Sequence, residues 1–388
     1  MKLAIMVGTR PEIVKMAPIM RAADELGVEY AVIHTGQHYS FEMDGIFFDE
    51  LRLRPPDINL GVGSGSHPFQ LAAMIGGLEA ALLEVEPDIV LVEGDTNSVL
   101  AAAITANKLG IRVGHVEAGL RSGDRGMPEE INRILVDHLA DILLAPTDGA
   151  LTNLLQEAIP PGRVAVTGNT VVDEVLRHRD EAARKGVPEQ LGVREGRYML
   201  ATAHRAENVG NAVRLGGILD GLARSASAHR LPVLLALHPR TAGQIETMGL
   251  RLDPALRPMP PLGYLEFLSL HLGAALVLTD SGGLQEEACT LGVPSVVLRD
   301  TTERPEAVAV GASVLAGADP DAIEAAATAM LSTARGWGNP FGDGHSGRRI
   351  VERLDPGFQS TTRVPVAVPV VGDPVAIAVE AESLSPPV

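Results

Sequence analysis

The chain is short of cysteine, aromatic rings, positive charge and long apolar runs, and each shortage closes off a class of protein. Cys289 is its only cysteine in 388 residues. An internal disulfide and a cysteine-built metal cluster are thereby excluded, and a reducing cytoplasm is the simplest home. Lys and Arg total 32 against 49 Asp and Glu, a formal net charge of −17. Nucleic-acid binding needs a basic face, so that class is not expected. An anionic small ligand stays compatible, because a few arginines and helix N-termini can hold phosphate inside an acidic protein. No segment reaches the ~18 uninterrupted apolar residues of a membrane span. The opening MKLAIMVGTRPE is too short in apolar residues for a signal peptide and reads as a first buried strand. Aromatics make up 3% of the chain, so stacking platforms are few. The first strand-to-helix turn lacks Gly-x-Gly-x-x-Gly, which argues against a bound nicotinamide.

What is present is alternation. Leu3–Val7, Tyr30–His34, Ile89–Val92, Val113–Val116 and Ile142–Leu144 read as buried strands. Between them Pro11–Leu26, Phe69–Leu83, Ser98–Leu109 and Glu129–Leu139 carry helical periodicity. The pattern restarts after Thr167-Gly168-Asn169. Tyr198–Thr202, Val233–Leu237, Ala275–Leu278 and Ser295–Leu298 form a second set of strands, with helices at about Ala212–Ala228, Leu284–Leu291 and Asp321–Leu331. The expectation is an α/β protein of two doubly wound, Rossmann-like domains facing each other across a cleft, with ligands at the carboxyl ends of the strands. The first domain is expected over 1–167 and the second over 168–355. Val172–Arg194 reads as the hinge, and 356–388, rich in Val, Pro and Ala, as a flexible tail.

The polar residues gather at the ends of those strands. Gly8-Thr9-Arg10-Pro11-Glu12 closes the first strand; Pro11 suits the first helical position, and Arg10 with Lys15 makes an anion pocket or merely an ordinary turn with exposed charges. Asp95 ends another strand, where a plain helix cap explains it equally well. Glu117 follows the strand before Gly119. Glu129 and Glu130 open a helix, where the dipole favours acids anyway. His204, flanked by Arg205 and Glu207, comes from the second half. Thr279-Asp280-Ser281-Gly282-Gly283 opens a helix, with Ser281 to cap and two glycines to admit a diphosphate. Glu287 sits further along that helix, placed to accept ribose hydroxyls, and Phe267 is a candidate cover for a flat base or a core ring. His34, His38 and His238 lack carboxylate partners at metal-ligand spacing, so no metal site is expected.

In order, GTRPEIVK, TGQH, GDTNS, HVEAGLRSGDRGMPEEINR, TGNTVVD, HRAEN, TDSGGLQEEA, LGVP, ERPEA and NPFGDG closely resemble the non-hydrolysing UDP-N-acetylglucosamine 2-epimerases over roughly Met1 to Leu354. The resemblance implies the two-domain GT-B-like arrangement, with a last helix crossing back onto the first domain. It implies interconversion of UDP-N-acetylglucosamine and UDP-N-acetylmannosamine, generally by a homodimer, with no nicotinamide and no metal. Carried over by motif, Asp95, Glu117, Glu129 and His204 are the implied catalytic residues. Arg10 and Lys15 match the substrate-binding basic pair, and Ser281, Gly282 and Gly283 the diphosphate turn. Glu287 matches the ribose carboxylate and Arg304 the arginine of ERPEA. Phe267 falls where the uracil is covered, and the main chain near Leu262 would pair the uracil edge.

The implied chemistry explains the residue types. The C2 hydrogen is not next to a carbonyl, so it leaves together with UDP from C1, giving a glycal to which UDP is re-added with a proton delivered to the other face of C2. Acid/base groups are needed on both faces, each worth about 10²–10⁴-fold, with fixed positive charge on the departing diphosphate. The segment at Ser66–Leu71 reads SHPFQL where SHGEQT is commoner, which weakens the expectation of activation by a second UDP-sugar. A hydrolysing 2-epimerase, a GT-B glycosyltransferase and a nucleotide-sugar sensor are the alternatives.

Overall fold

The computed structural model describes residues 1–36, 41–260 and 262–354. The 356–388 segment and His38 lie outside the described residues. The first sheet contains β1 (Lys2–Val7), β2 (Glu29–His34), β3 (Ile58–Asn59), β4 (Ile89–Glu93), β5 (Arg112–Val116), β6 (Ile142–Ala145) and β7 (Val164–Val166). The second contains β8 (Met199–Thr202), β9 (Val233–Ala236), β10 (Leu256–Met259), β11 (Leu276–Thr279), β12 (Ser295–Val297) and β13 (Ser313–Leu315). Strand order is β3-β2-β1-β4-β5-β6-β7 in one sheet and β10-β9-β8-β11-β12-β13 in the other. The β1–β4 and β8–β11 pairs, like their neighbours, are parallel. Each is therefore an open doubly wound sheet whose order reverses at one point, β1/β4 or β8/β11, and that point opens a crevice at the carboxyl ends.

The alternation of side chains explains why the strands are apolar throughout. Leu3, Ile5 and Val7 enter the core on one face of β1, while Ala4 and Met6 enter the core on the other. With helices on both faces there is no polar side to show. In the second sheet Met199 and Ala201 face one core and Tyr198 and Leu200 the other.

Two helices tie the domains together. The stretch read as a hinge from Val172 is instead occupied by a 15-residue helix, Thr170–Arg184. Val171, Val172, Val175 and Ala182 lie buried along one stripe, the three-and-four spacing of a helix whose other face is charged. That stripe joins Tyr264, Leu265 and Leu268 of the second domain to Ile13 and Met16 of the first in one continuous core. Helix Ser346–Leu354 then returns to the first domain. A Cβ on its Gly347 would stand 2.6 Å from the Pro18 carbonyl oxygen, so only glycine allows this approach. Helix His67–Val85 is long and apolar enough to cross a membrane by length and composition. Its Met74, Leu78 and Leu82 nevertheless pack into the first domain's core, while Phe69 and Leu83 are exposed.

Candidate active site at the domain junction

The two sets of carboxyl ends meet around Glu117. This residue leaves β5 with φ of +66°, a left-handed conformation that a non-glycine residue adopts at a cost of order 1–3 kcal/mol. The turn aims its carboxylate into the junction, where Lys15 Nζ donates to both oxygens at 2.7 Å. Arg304 Nη2, from the second domain, donates to Oε1 at 3.0 Å, and Asn169 Nδ2 does so at the same distance. Arg304 Nε also bonds Glu286 at 2.6 Å, and Asn169 bonds Glu286 at 2.9 Å. Lys15 Nζ lies 3.0 Å from Glu93, the last residue of β4. All six residues are buried or nearly so. Burial alone would push the Glu117 carboxyl up, but Lys15 and Arg304 hold it well below the usual carboxylate range. Burial opposes the charge of Lys15 too, yet Glu117 and Glu93 raise its ammonium above the ordinary lysine value.

Asp95 sits beside this cluster. The Gly94 N–H donates to the Val116 carbonyl at 3.2 Å, and His115 Nε2 lies 2.8 Å from the Gly94 carbonyl. That contact and the Asp137 carboxylate 2.7 Å from His115 Nδ1 pin the loop between β4 and its helix to the end of β5. Asp95 is ion-paired with Arg133, which also holds Glu130. Glu130 accepts from the Ser122 and Gly123 N–H groups at 3.0 and 2.9 Å, so it fastens the loop after Glu117. Its neighbour Glu129 is half-buried and carries no hydrogen bond or ion pair among the described residues. Of the two glutamates opening that helix, one is a fastener and the other has an uncommitted carboxylate.

From the second domain, His204 follows β8 with 44% of its side chain exposed, and its Nδ1 lies 3.1 Å from Asp280. Asp280 also accepts from the His204 and Arg205 N–H groups. Burial raises the Asp280 carboxyl, but His204 and these donors bring it below its ordinary value. Ser281 caps the next helix, Gly282–Leu291. A Cβ at Gly282 would press within 3.2 Å of the Arg304 guanidinium, whereas one at Gly283 would meet nothing within 4 Å. The turn is thus closed beneath by Arg304 and open above, and the Gly282 and Gly283 N–H groups carry no hydrogen bond among the described residues, as at a helix N-terminus that can take an anion. Along the same flank Glu287 lies 3.2 Å from His271 Nδ1, and the Phe267 ring stands edge-on to His271 at 6.2 Å. Leu262 packs partly against the same apolar cluster as Phe267.

The structure brings Lys15, Glu117 and Arg304 into contact and seats Asp95 next to them. Of the expected basic pair, Lys15 is inside the carboxylate cluster, and the Arg10 guanidinium lies 5.4 Å over the Phe47 ring. Glu12 of the same turn accepts from the Gly8 and Thr9 N–H groups and from Thr96 Oγ1, fixing the loop. Sequence reasoning passes over Glu93, Asn169 and Glu286. A carboxylate ending the otherwise apolar strand IVLVE is a usable signal for Glu93. In Gln285-Glu286-Glu287 nothing in the spacing says which acid turns inward.

Comparison with known proteins shows the family. The profile described as UDP-N-acetylglucosamine 2-epimerase matches residues 21–355. The UDP-N-acetylglucosamine 2-epimerase of Methanocaldococcus jannaschii is 47% identical over 364 residues, covering 92% of this chain and all of that protein. The chain belongs to the UDP-N-acetylglucosamine 2-epimerase family. A solved structure of the M. jannaschii enzyme in complex with UDP-GlcNAc and UDP superposes with a TM-score of 0.87 at 48% identity, covering 91% of this chain and 99% of that one. The Neisseria meningitidis enzyme bound to UDP-GlcNAc gives 0.84 at 33% identity, with 91% and 99% covered. A family member can also act on another sugar: the UDP-2,3-diacetamido-2,3-dideoxy-D-glucuronate 2-epimerase of Pseudomonas aeruginosa is 41% identical, over 91% of this chain and 99% of that protein. The fold is the two-domain, GT-B-like α/β arrangement of these relatives.

Proposed function

We propose that this chain reversibly epimerises UDP-N-acetylglucosamine at C2 to UDP-N-acetylmannosamine, without hydrolysis. The observation that carries the reading is Glu117, buried at the junction with one cation from each domain on its carboxylate. In the first half-reaction a carboxylate takes the C2 proton, the C2–H electron pair becomes the C1=C2 bond, and the C1–O electron pair leaves with UDP. In the second, UDP oxygen re-adds to C1 and a proton reaches C2 from the opposite face. No electrons are gained or lost overall, so the step needs no hydride carrier.

In this reading Asp95, Glu117 and Glu129 supply the acid/base groups and His204 attends the departing diphosphate at the edge of the second domain. Ser281, Gly282 and Gly283 hold the diphosphate on the open helix N-terminus, with Arg10 as a further cation. Glu287 takes the ribose hydroxyls, while Phe267 and the main chain near Leu262 face the uracil. Residues 1–167 act as the domain of the acid/base groups and 168–355 as the UDP domain. Closing one on the other keeps UDP and glycal together until they recombine. We place the enzyme in the cytoplasm as a homodimer. Support for the dimer is the solvent face of helix His67–Val85, where Phe69 and Leu83 are 59% and 60% exposed beside exposed Ala72, Ala73, Gly76 and Ala80. In the SHPFQL segment Gln70 bonds the Gly63 carbonyl and Asn97, a fastening role within the loop.

The deciding experiment is incubation with UDP-N-acetylglucosamine in D₂O. Deuterium enters C2 of both epimers, and Asp95→Asn and Glu117→Gln lose that exchange while staying folded. Release of UDP in step with free N-acetylmannosamine would instead identify a hydrolase.

A further inference from the structure

Glu93 ends β4 inside the junction, yet no step above uses it. It is 2% exposed. One ammonium serves it and its neighbour together: Lys15 Nζ lies 3.0 Å from Glu93 and 2.7 Å from Glu117. The two carboxyl groups thus face the same ammonium from either side. Two ionised carboxylates sharing one buried ammonium repel each other, and a proton on one of them relieves that repulsion.

The charge count points the same way. The buried row runs Glu93, Lys15, Glu117, Arg304, Glu286, each cation standing between two acids. Fully ionised, it would hold an uncompensated negative charge away from water, which is costly. One bound proton makes it neutral. Glu117 has donors from Lys15, Arg304 and Asn169, and Glu286 has donors from Arg304 and Asn169. Glu93 has only a share of Lys15, whose bonds go to both Glu117 oxygens. Glu93 is therefore the acid with the least to lose by keeping the proton.

We infer that Glu93 is a positioning residue: it stays protonated, donates to Glu117, and with Lys15 fixes Glu117 as an oriented carboxylate of set basicity. This rests on the epimerase reading. The groups facing Glu93 are Lys15 and Glu12 from helix Arg10–Leu26 and Glu117 from the end of β5, with Arg304 and Glu286 acting through Glu117. Burial raises Glu93 well above the usual carboxylate range; Lys15 opposes this, and Glu117 and Glu12 add to it.

Glu93→Gln keeps a neutral donor of the same shape, and Glu93→Ala removes it. The expected result is a Gln variant with kcat within about tenfold of wild type and no alkaline limb from Glu93. The Ala variant is expected to lose about 10²-fold in kcat, as for a misplaced catalytic group, with KM little changed and the acidic limb moved to higher pH. A mere packing role would leave both limbs where they are. Infrared spectra in mildly alkaline buffer, where Glu12 is ionised, test the proton without turnover: a protonated-carboxyl band should be present in wild type and absent in Glu93→Gln. A Gln variant as impaired as the Ala variant, or identical infrared spectra, overturns the inference. Wild-type protein that fails to exchange C2 hydrogen overturns the epimerase reading instead, and the infrared comparison still decides the protonation of Glu93.

Discussion

Glu117 and Arg304 come from different domains and meet at 3.0 Å in a buried junction. The same guanidinium reaches Glu286 through Nε at 2.6 Å, so one planar fork serves an acid on each side. Such a fork can be formed only when the domains are together. Closure and the electrostatic state of Glu117 are therefore one event. An open form would leave Glu117 with Lys15 alone of its two cations and a more basic carboxylate.

Arg304→Lys follows directly. A lysine is a point charge without two spaced donors, and cannot hold both acids in this geometry. Arg304→Ala leaves two buried carboxylates short of a partner, a loss of about 3–5 kcal/mol for a broken buried pair. Both variants should lose epimerisation, and the Ala variant should unfold at lower denaturant. Wild-type kcat in Arg304→Lys would show that the fork is not needed.

Glu12 sets a pH-dependent stability. Burial, against hydrogen bonds from Thr96, Gly8 and Thr9, raises its carboxyl from 4.5 to about 7. A carboxyl raised on folding binds its proton more tightly in the native state, so its stabilisation is full below the unfolded value and is lost as pH rises through the folded one. Glu12→Gln keeps acceptor and shape without the charge. The variant should gain on wild type as pH goes from about 4.5 to about 7, by at most about 3 kcal/mol. Denaturation midpoints across that range check it; a gap that does not widen with pH contradicts the assignment.

Glu287 is expected to act in binding alone. If its carboxylate holds ribose hydroxyls equally in ground and transition states, Glu287→Ala raises KM and weakens UDP binding while kcat stays near wild type. Calorimetric titration with UDP reads the first effect directly. Unchanged UDP affinity would remove Glu287 from the site.

What is legible in the sequence is decided by burial. Every interior strand of both sheets is visible as an apolar run, because helices cover both faces. The strands that pattern alone does not reveal, β3, β7, β10 and β13, are the four sheet edges. They are two to four residues long and half-exposed, with Asn59 in one and Pro258 in another, so nothing distinguishes them from loop. Helix Thr170–Arg184 reads as hinge because its outward face is densely charged; its valine stripe has meaning only against helices brought there from both domains. The candidate site is legible through strand ends, since Arg10, Asp95, Glu117, His204 and Ser281 each follow an apolar run. Inward rotation of Glu286 and the fastening role of Glu130 depend on side-chain direction across the junction, which chain order does not encode.

Asn169 offers a sharper probe of the same junction. Its Oδ1 accepts from the Val171 N–H at 3.0 Å and caps the linking helix, while its Nδ2 bonds Glu117 and Glu286 at once. Aspartate caps a helix as well as asparagine, so Asn169→Asp preserves the helix start. It replaces a donor facing two carboxylates with a third negative charge, in a site out of water where like charges repel strongly. Epimerisation should collapse at neutral pH and return in part as pH falls, because the introduced carboxyl regains a donor once it is protonated. Asn169→Ala, lacking both cap and donor, should lose about 1 kcal/mol of stability from the cap and show no such recovery. A pH–rate profile of the two variants beside wild type separates the charge effect from the cap, and an aspartate variant insensitive to pH would mean that the amide does not bridge the two acids during catalysis.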